Sequence, residues 1–127
     1  MQAQADRAAE GALAVIERFN EAFNRHDVDA IMALMTDDCV FENTNPPPDG
    51  ERYEGRAAVR GFWERLFRST PDARFTFEEI FAAGDRCAQR WRYDYTGGDG
   101  RPGHIRGVDI LRVRDGKVAE KFSYVKG

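Results

Sequence analysis

The first half of the chain carries the spacing of apolar residues that is typical of amphipathic helices. Between residues 6 and 24 the apolar side chains recur every three or four positions, so they fall on one stripe of a helix. Asp27 can cap a second, short helix, which is expected to end at the acidic pair 37–38. The spacing over residues 59–67 predicts a third helix that stops before Pro71. We therefore expect three helices in the N-terminal half.

Strand-like alternation dominates after the third helix. The stretch RFTFEEIFAAG alternates apolar and polar residues, which predicts a strand with Phe75, Phe77 and Phe81 on one face. The pair Asp115-Gly116 is typical of the centre of a tight hairpin. Further strands are predicted at 87–96, 105–113 and 118–125. The second half of the chain is therefore expected to supply most of a sheet.

One earlier strand and one long loop complete the pattern. Residues 39–42, which read CVFE, predict a strand between the second and third helices. The segment Asn43–Gly50 contains three consecutive prolines, which fix φ and lack donors, so we expect a loop that can lie over a pocket. Helices first and strands last predict a mostly antiparallel sheet with the helices on one face. The pattern indicates a single soluble α+β domain of residues 1–127.

Composition and charge narrow the choice of partners and location. The formal net charge is −3, and 19 basic residues are interspersed with 22 acidic ones, which argues against nucleic acid as a partner. No apolar run reaches the ~20 residues that span a bilayer, and the N-terminus lacks a signal-peptide layout, so we expect no membrane association and a cytoplasmic location. The few histidines and cysteines lack metal-ligand spacing and no phosphate-binding loop is present, so no metal or other cofactor is expected.

Three segments carry a family resemblance. They are FNEAFNRHDVDAIMALMTDDCVFEN at 19–43, EGRAAVRGFWERLF at 54–67 and RGVDILRVRDGKVAEKFSY at 106–124. In this order and spacing they resemble the nuclear-transport-factor-2-like superfamily, and within it the SnoaL-like proteins, ketosteroid isomerases and limonene epoxide hydrolases. The resemblance implies a cone-shaped domain, whose strongly curved sheet wraps round the first helix and encloses a pocket for a small hydrophobic molecule. It also implies a homodimer formed through the open sheet face.

Asp109 is the candidate catalytic residue. In RGVDILRV the alternation places its carboxyl on the same face as Leu111 and Val113. Burial disfavours the ionised form of a carboxyl, which can then donate a hydrogen bond or act as a base near neutral pH. The resemblance implies the donor role, because this position matches a protonated aspartate that stabilises an enolate oxygen in ketosteroid isomerases. The alternative is a structural aspartate that faces solvent or pairs with an arginine of a neighbouring strand.

Other positions depart from the family patterns. Asn43 stands where the isomerases have the carboxylate that moves the proton, and an amide is not a general base. Phe19 stands where they have a tyrosine that donates to the substrate oxygen. The epoxide hydrolases carry a tyrosine and an asparagine in the segment 41–43, of which only the asparagine is kept, and a last-strand carboxylate that is matched here by Ser123. These differences count against steroid isomerisation and epoxide hydrolysis.

The facing of the strand 87–96 leaves two alternatives. Either Trp91 and Tyr93 face the cavity or Arg90, Arg92 and Asp94 do, because successive strand residues point to opposite faces. The second register would match the Arg-x-Asp part of the epoxide hydrolase site, after a shift of one residue. Burying two arginines with one carboxylate carries a desolvation penalty, so we favour the aromatic register. A dimer interface could equally bury the aromatic residues, which keeps the other register open.

Three functions remain open from the sequence. The first is a cofactor-free isomerase or cyclase in which Asp109 transfers a proton, or donates to a developing enolate, on a hydrophobic ketone. The second is a non-catalytic module that holds a hydrophobic metabolite. The third is a dimerisation scaffold, which is compatible with either of the others. The residues expected to contact the ligand are Phe19, Phe41, Asn43, Phe62, Trp91, Tyr93 and Ser123.

Overall fold

The computed structural model describes residues 2–127, without the side chains of Gln2 and Ala5. Helices and strands follow one another in the order α1 (Gln2–Asn24), α2 (Val28–Ala33), β1 (Met35–Glu42), β2 (Arg52–Glu54), α3 (Arg56–Ser69), β3 (Arg74–Ala83), β4 (Arg86–Thr96), β5 (Pro102–Arg114) and β6 (Lys117–Val125). The expected α+β order, with the helices in the first half and most of the sheet in the second, is confirmed.

The six strands of the described chain form one curved, unclosed sheet in the order β2-β1-β6-β5-β4-β3. Strand β1 runs parallel to β6, and every other neighbouring pair is antiparallel. The hairpin between β5 and β6 turns at Asp115 and Gly116, whose positive φ angles of 53° and 74° are those of the tight turn that the Asp-Gly pair predicts. The sheet is therefore mostly antiparallel, as expected.

The helices cover one face of this sheet. The stripe on α1 buries Ile16, Phe19 and Phe23 against the sheet and α3, each at most 4% exposed. Complete burial of such a side chain contributes roughly 1.5–3 kcal/mol. Helix α2 begins as predicted, because the Asp27 carboxylate accepts a hydrogen bond from the Ala30 amide at 3.1 Å. The core lies between the helices and the inner sheet face.

Two boundaries in the first half differ from the sequence prediction. Helix α2 ends at Ala33, and β1 already begins at Met35, so Asp37 and Asp38 lie within a strand instead of ending a helix. Both acidic residues are exposed, and Asp38 pairs with Arg114 of β5, so the strand accommodates them without burying a charge. The three-residue strand β2 escaped prediction because it is too short to show a period.

The prediction that Phe75, Phe77 and Phe81 share one face was wrong for the last of them. Phe77 lies opposite Trp91, but the next pair joins Glu79 to Arg90, so the strand carries one extra residue between the two pairs. Such a bulge moves every later side chain to the opposite face. Phe81 therefore points outward and is 58% exposed.

The cross-strand pairs decide which side chains of β4 face inward. Trp91 lies opposite Gly107 and is 4% exposed on the inner face. Arg92 and Asp94 face the other way and bind each other at 3.0 Å. The aromatic residues of β4 therefore face inward, as we favoured from the sequence. Arg92 and Asp94, which form the Arg-x-Asp pattern, lie on the outer face.

The outer face of the sheet combines ion pairs with apolar side chains. Arg106 pairs with Glu78, and the Arg112 guanidinium lies 2.7 Å from Glu120. Tyr124, which points outward from β6, is 56% exposed. A homodimer formed through this face stays a prediction. Among the described residues, no helix combines the length and the apolar character needed to cross a membrane.

Candidate functional site

An open cavity of about 380 Å³ lies between α3, the inner sheet face and the loop after β1. This volume lies within the range of pockets that hold small molecules. Its aromatic lining consists of Phe23, Phe41, Phe62, Trp63, Phe75, Trp91 and Tyr93. Its polar lining consists of Asn43, Thr44, Asn45, Arg65, Ser69, Lys121 and Ser123.

The aromatic wall is held by ring-to-ring packing. Phe23 of α1 meets Trp63 edge to face with the ring centroids 5.0 Å apart, and Trp63 lies 4.5 Å from Phe41 by the same measure. Trp91 lies against the backbone of β5, where a Cβ atom on Gly107 would be 2.7 Å from its ring. Glycine at this position therefore leaves the space that the indole fills.

A lysine lies at the base of this cavity. Lys121 of β6 is only 6% exposed, and its Nζ atom lies 5.6, 5.0 and 5.7 Å from the ring centroids of Phe23, Phe41 and Trp63. Three ring faces at these distances attract an ammonium group and offset part of its lost hydration. Sequence reasoning missed this residue. Lys121 stands two positions before Ser123 on the same strand, so alternation from Ser123 would have found it.

Asp109 binds the lysine in a buried network. Its Oδ2 atom lies 3.4 Å from Lys121 Nζ and accepts a hydrogen bond from Gln89 Nε2 at 2.9 Å. Its Oδ1 atom accepts from the Ser123 hydroxyl at 2.7 Å, and that hydroxyl accepts from Lys121 Nζ at 3.1 Å. Asn20 of α1 extends the network, because its Nδ2 group donates to Gln89 Oε1 at 2.8 Å. We call these five residues the buried polar network.

Sheet register brings the network together. Gln89 lies directly opposite Asp109 in the β4–β5 pairing, and Asp109 lies directly opposite Ser123 in the β5–β6 pairing. Residues opposite each other in adjacent strands point to the same face, so the three side chains form one row across the sheet. Asn20 reaches this row from α1 because it stands one turn after Ile16, on the buried stripe.

The contacts of Asp109 change the role expected from the sequence. Gln89, Ser123 and Lys121 all present donors to its oxygens, and an ionised carboxylate accepts such contacts where a protonated one would lose an acceptor. The carboxyl is 1% exposed and does not line the cavity, whereas Lys121 and Ser123 do. The geometry therefore favours Asp109 as the counterion and positioning residue of Lys121, not as a neutral donor to the ligand.

The other residues predicted from the sequence divide into two groups. Six of them line the cavity: Phe41, Asn43, Phe62, Trp91, Tyr93 and Ser123. Phe19 does not, because it is a core residue beside a small gap of about 10 Å³ that also borders Asp109. Asn43 closes the end of β1, and its side-chain oxygen accepts from the Thr44 amide at 2.8 Å, which shapes the loop at the rim.

Tyr93 and Arg65 are the other titratable residues of the lining. The Tyr93 hydroxyl is 2.8 Å from the Thr70 hydroxyl, and burial raises the pKa of Tyr93 above its ordinary value. The Arg65 guanidinium lies 6.0 Å from the ring centroids of both Tyr53 and Phe62 at the rim. The lining residues of the described chain include no carboxylate and no histidine. Nor do the described residues contain a cluster of three or more groups able to hold a metal ion.

The curved open sheet, the covering helices and the cavity between them define a nuclear-transport-factor-2-like fold. Residues 16–121 match the family model described as the SnoaL-like domain, so the chain belongs to the SnoaL-like family. None of the curated proteins matches the sequence.

Solved structures support the same assignment. A nuclear-transport-factor-2-like protein of unknown function from Mesorhizobium loti is 43% identical, with a TM-score of 0.80 over 94% of this chain and 93% of that one. A Xanthomonas campestris protein, provisionally named a polyketide cyclase, is 26% identical, with a TM-score of 0.75 over 94% and 93%. A Mycobacterium tuberculosis protein in complex with estradiol-17β-hemisuccinate is 26% identical, with a TM-score of 0.76 over 90% and 92%.

Proposed function

We propose that the protein binds a small hydrophobic ketone in the aromatic cavity and catalyses proton transfer next to its carbonyl group, as an isomerase or cyclase without a cofactor. The observation that carries the proposal is the contact of Lys121 with Asp109 and Ser123 at the base of an aromatic cavity. Burying charged groups costs free energy of folding, because the groups lose their hydration. A buried ion pair beside a ligand-sized cavity is therefore a candidate functional site.

The network suits a reaction that passes through an enolate. When a proton leaves the carbon next to a carbonyl group, negative charge develops on the carbonyl oxygen. The Lys121 ammonium group can donate to that oxygen, and Asp109 keeps the ammonium in place at 3.4 Å. The departing proton can pass to the Ser123 hydroxyl as the hydroxyl proton moves to Asp109, along the hydrogen bond of 2.7 Å. The substrate then carries one negative charge and Asp109 one more proton, so the transfer balances.

Two structural neighbours support a hydrophobic ligand. One is provisionally named a polyketide cyclase, and the other binds estradiol-17β-hemisuccinate, a polycyclic compound. The cavity of this chain offers the flat aromatic surfaces on which ring systems pack. Epoxide hydrolysis is not supported, because Arg92 and Asp94 lie on the outer face and bind each other.

A non-catalytic binding module is the second candidate function. Its support is the lack of any carboxylate or histidine among the described lining residues, which leaves Ser123, Lys121 and Tyr93 as the lining groups that could carry a proton. According to this second candidate function, the same ketone binds next to Lys121 and does not react. The two candidates share the ligand class and differ only in turnover.

Exchange of ketone protons for deuterium separates the candidates. With 2-tetralone in D₂O, we expect the wild-type protein to bind the ketone and to accelerate loss of its α-proton NMR signals over buffer alone. Ser123→Ala should keep binding and lose most of the acceleration. Thr96→Val is the matched control, because it removes a hydroxyl that binds the Asp72 carboxylate outside the cavity. Binding without acceleration would leave the binding module, and no binding of 2-tetralone or larger aromatic ketones would refute both.

A further inference from the structure

The charges around the cavity differ in sign from the charge of the whole chain. The formal net charge is −3, yet the charged lining residues of the described chain are Lys121 and Arg65. Asp109 neutralises the lysine at the base. Arg65 at the rim forms no direct ion pair with the described carboxylates, and the Tyr53 hydroxyl, which donates to Glu51 at 3.0 Å, also interacts with its guanidinium group. Arg65 is therefore a cation at the cavity rim without a direct ion-pair partner among the described residues.

The Arg65 side chain lies along this rim against two aromatic rings. Its guanidinium group lies over the rings of Tyr53 and Phe62, both 6.0 Å from its central carbon. A Cβ atom on Gly61 would be 3.3 Å from Arg65 Nη1, so the side chain folds back along α3 over the glycine. These contacts restrict the guanidinium group in part, and its paired N–H groups fit a carboxylate.

We propose that the ligand is a hydrophobic keto acid whose carboxylate binds Arg65 at the rim while its ketone oxygen meets Lys121 at the base. This inference rests on the proposed function and adds to it the acidic group of the substrate. The aromatic walls between the two cations contact the hydrophobic body of the molecule. A neutral ketone of the same shape binds more weakly, because Arg65 then gains no carboxylate partner.

Three related probes test the two ends of the ligand separately. The first is 6-acetyl-2-naphthoate, which carries the ketone and the carboxylate at opposite ends of an aromatic body. Its methyl ester keeps the ketone without the charge, and 6-ethyl-2-naphthoate keeps the charge without the ketone. We expect isothermal titration calorimetry to show the keto acid binding at least about fivefold tighter than the ester in 20 mM salt. This advantage should shrink in 500 mM salt, because the rim is exposed to screening ions.

Two variants of α3 locate the effect. Arg65→Gln should reduce the advantage of the acid over the ester to less than about twofold, because acid binding falls much more than ester binding. Arg68→Gln is the matched control, because Arg68 is an exposed arginine of the same helix that does not line the cavity. The inference is overturned if the ester binds as tightly as the acid, or if the two variants behave alike. If those results occur while the ketone still improves binding over 6-ethyl-2-naphthoate, the proposed function survives. If none of the three probes binds, the proposed function fails and this inference fails with it.

Discussion

Replacing Asp109 by Asn should destabilise the fold far more than the loss of one hydrogen bond would. The substitution keeps the size of the side chain but leaves the Lys121 ammonium, with a side chain 7% exposed, without its counterion. Removing one partner of a buried ion pair costs about 3–5 kcal/mol. The rings of Phe23, Phe41 and Trp63 still attract the ammonium, and the cavity admits water, so we expect a loss near the lower end, about 3 kcal/mol.

Urea unfolding at pH 7.5, followed by circular dichroism, measures this loss as a change in the free energy of unfolding. The double variant Asp109→Asn with Lys121→Met should be more stable than Asp109→Asn alone by about 2 kcal/mol, because it no longer buries an unpaired charge. Asp94→Asn is the matched control, since its partner Arg92 lies on the exposed outer face and the pair should contribute less than about 1 kcal/mol. If Asp109→Asn costs no more than the control and the double variant is no more stable, the ion pair does not hold the network.

The remaining predictions concern the cavity wall, the rim loop and the response to alkaline pH. Gly107→Ala should cost about 1–3 kcal/mol in the free energy of unfolding and weaken ligand binding, because the new methyl group overlaps the Trp91 indole and the Tyr124 carbonyl oxygen. Unchanged stability and binding would contradict this packing. Gly50→Ala should raise protease cleavage in the loop 43–50, because its φ is +79° and a Cβ atom there would overlap the Asn43 carbonyl oxygen, so the loop backbone must move. A cleavage rate equal to wild type would oppose this prediction. Burial raises the pKa of the thiols of Cys39 and Cys87, so these thiols lose their protons at a lower pH in the unfolded chain than in the folded one. The free energy of unfolding should therefore fall as pH rises above about 8.5. A urea midpoint that does not change between pH 8 and pH 10 would contradict this sign.

Much of the fold could be predicted from the sequence because its helices and strands follow local periods. The stripe on α1 and the aspartate cap of α2 depend on residues within a few positions of each other, so they are visible in one chain read alone. The same alternation placed Asp109 on the apolar face of β5, where the structure buries it. The prolines of the loop 43–50 likewise excluded regular structure without reference to any partner.

Only the tertiary structure decided which polar groups meet. The partners of Asp109 come from three other elements, and their meeting depends on strand register and on how α1 crosses the sheet. The bulge after Phe77 could not be predicted from the sequence for the same reason. Its one extra residue moves Phe81 to the outer face, and the alternation of apolar and polar residues does not reveal it. The spacing of apolar residues predicts which face of the strand a side chain occupies. Which residue lies opposite it depends on the pairing of strands that are far apart in sequence. For that reason the sequence determined the scaffold and one buried carboxyl, and the packed sheet determined that Lys121 would be its counterion.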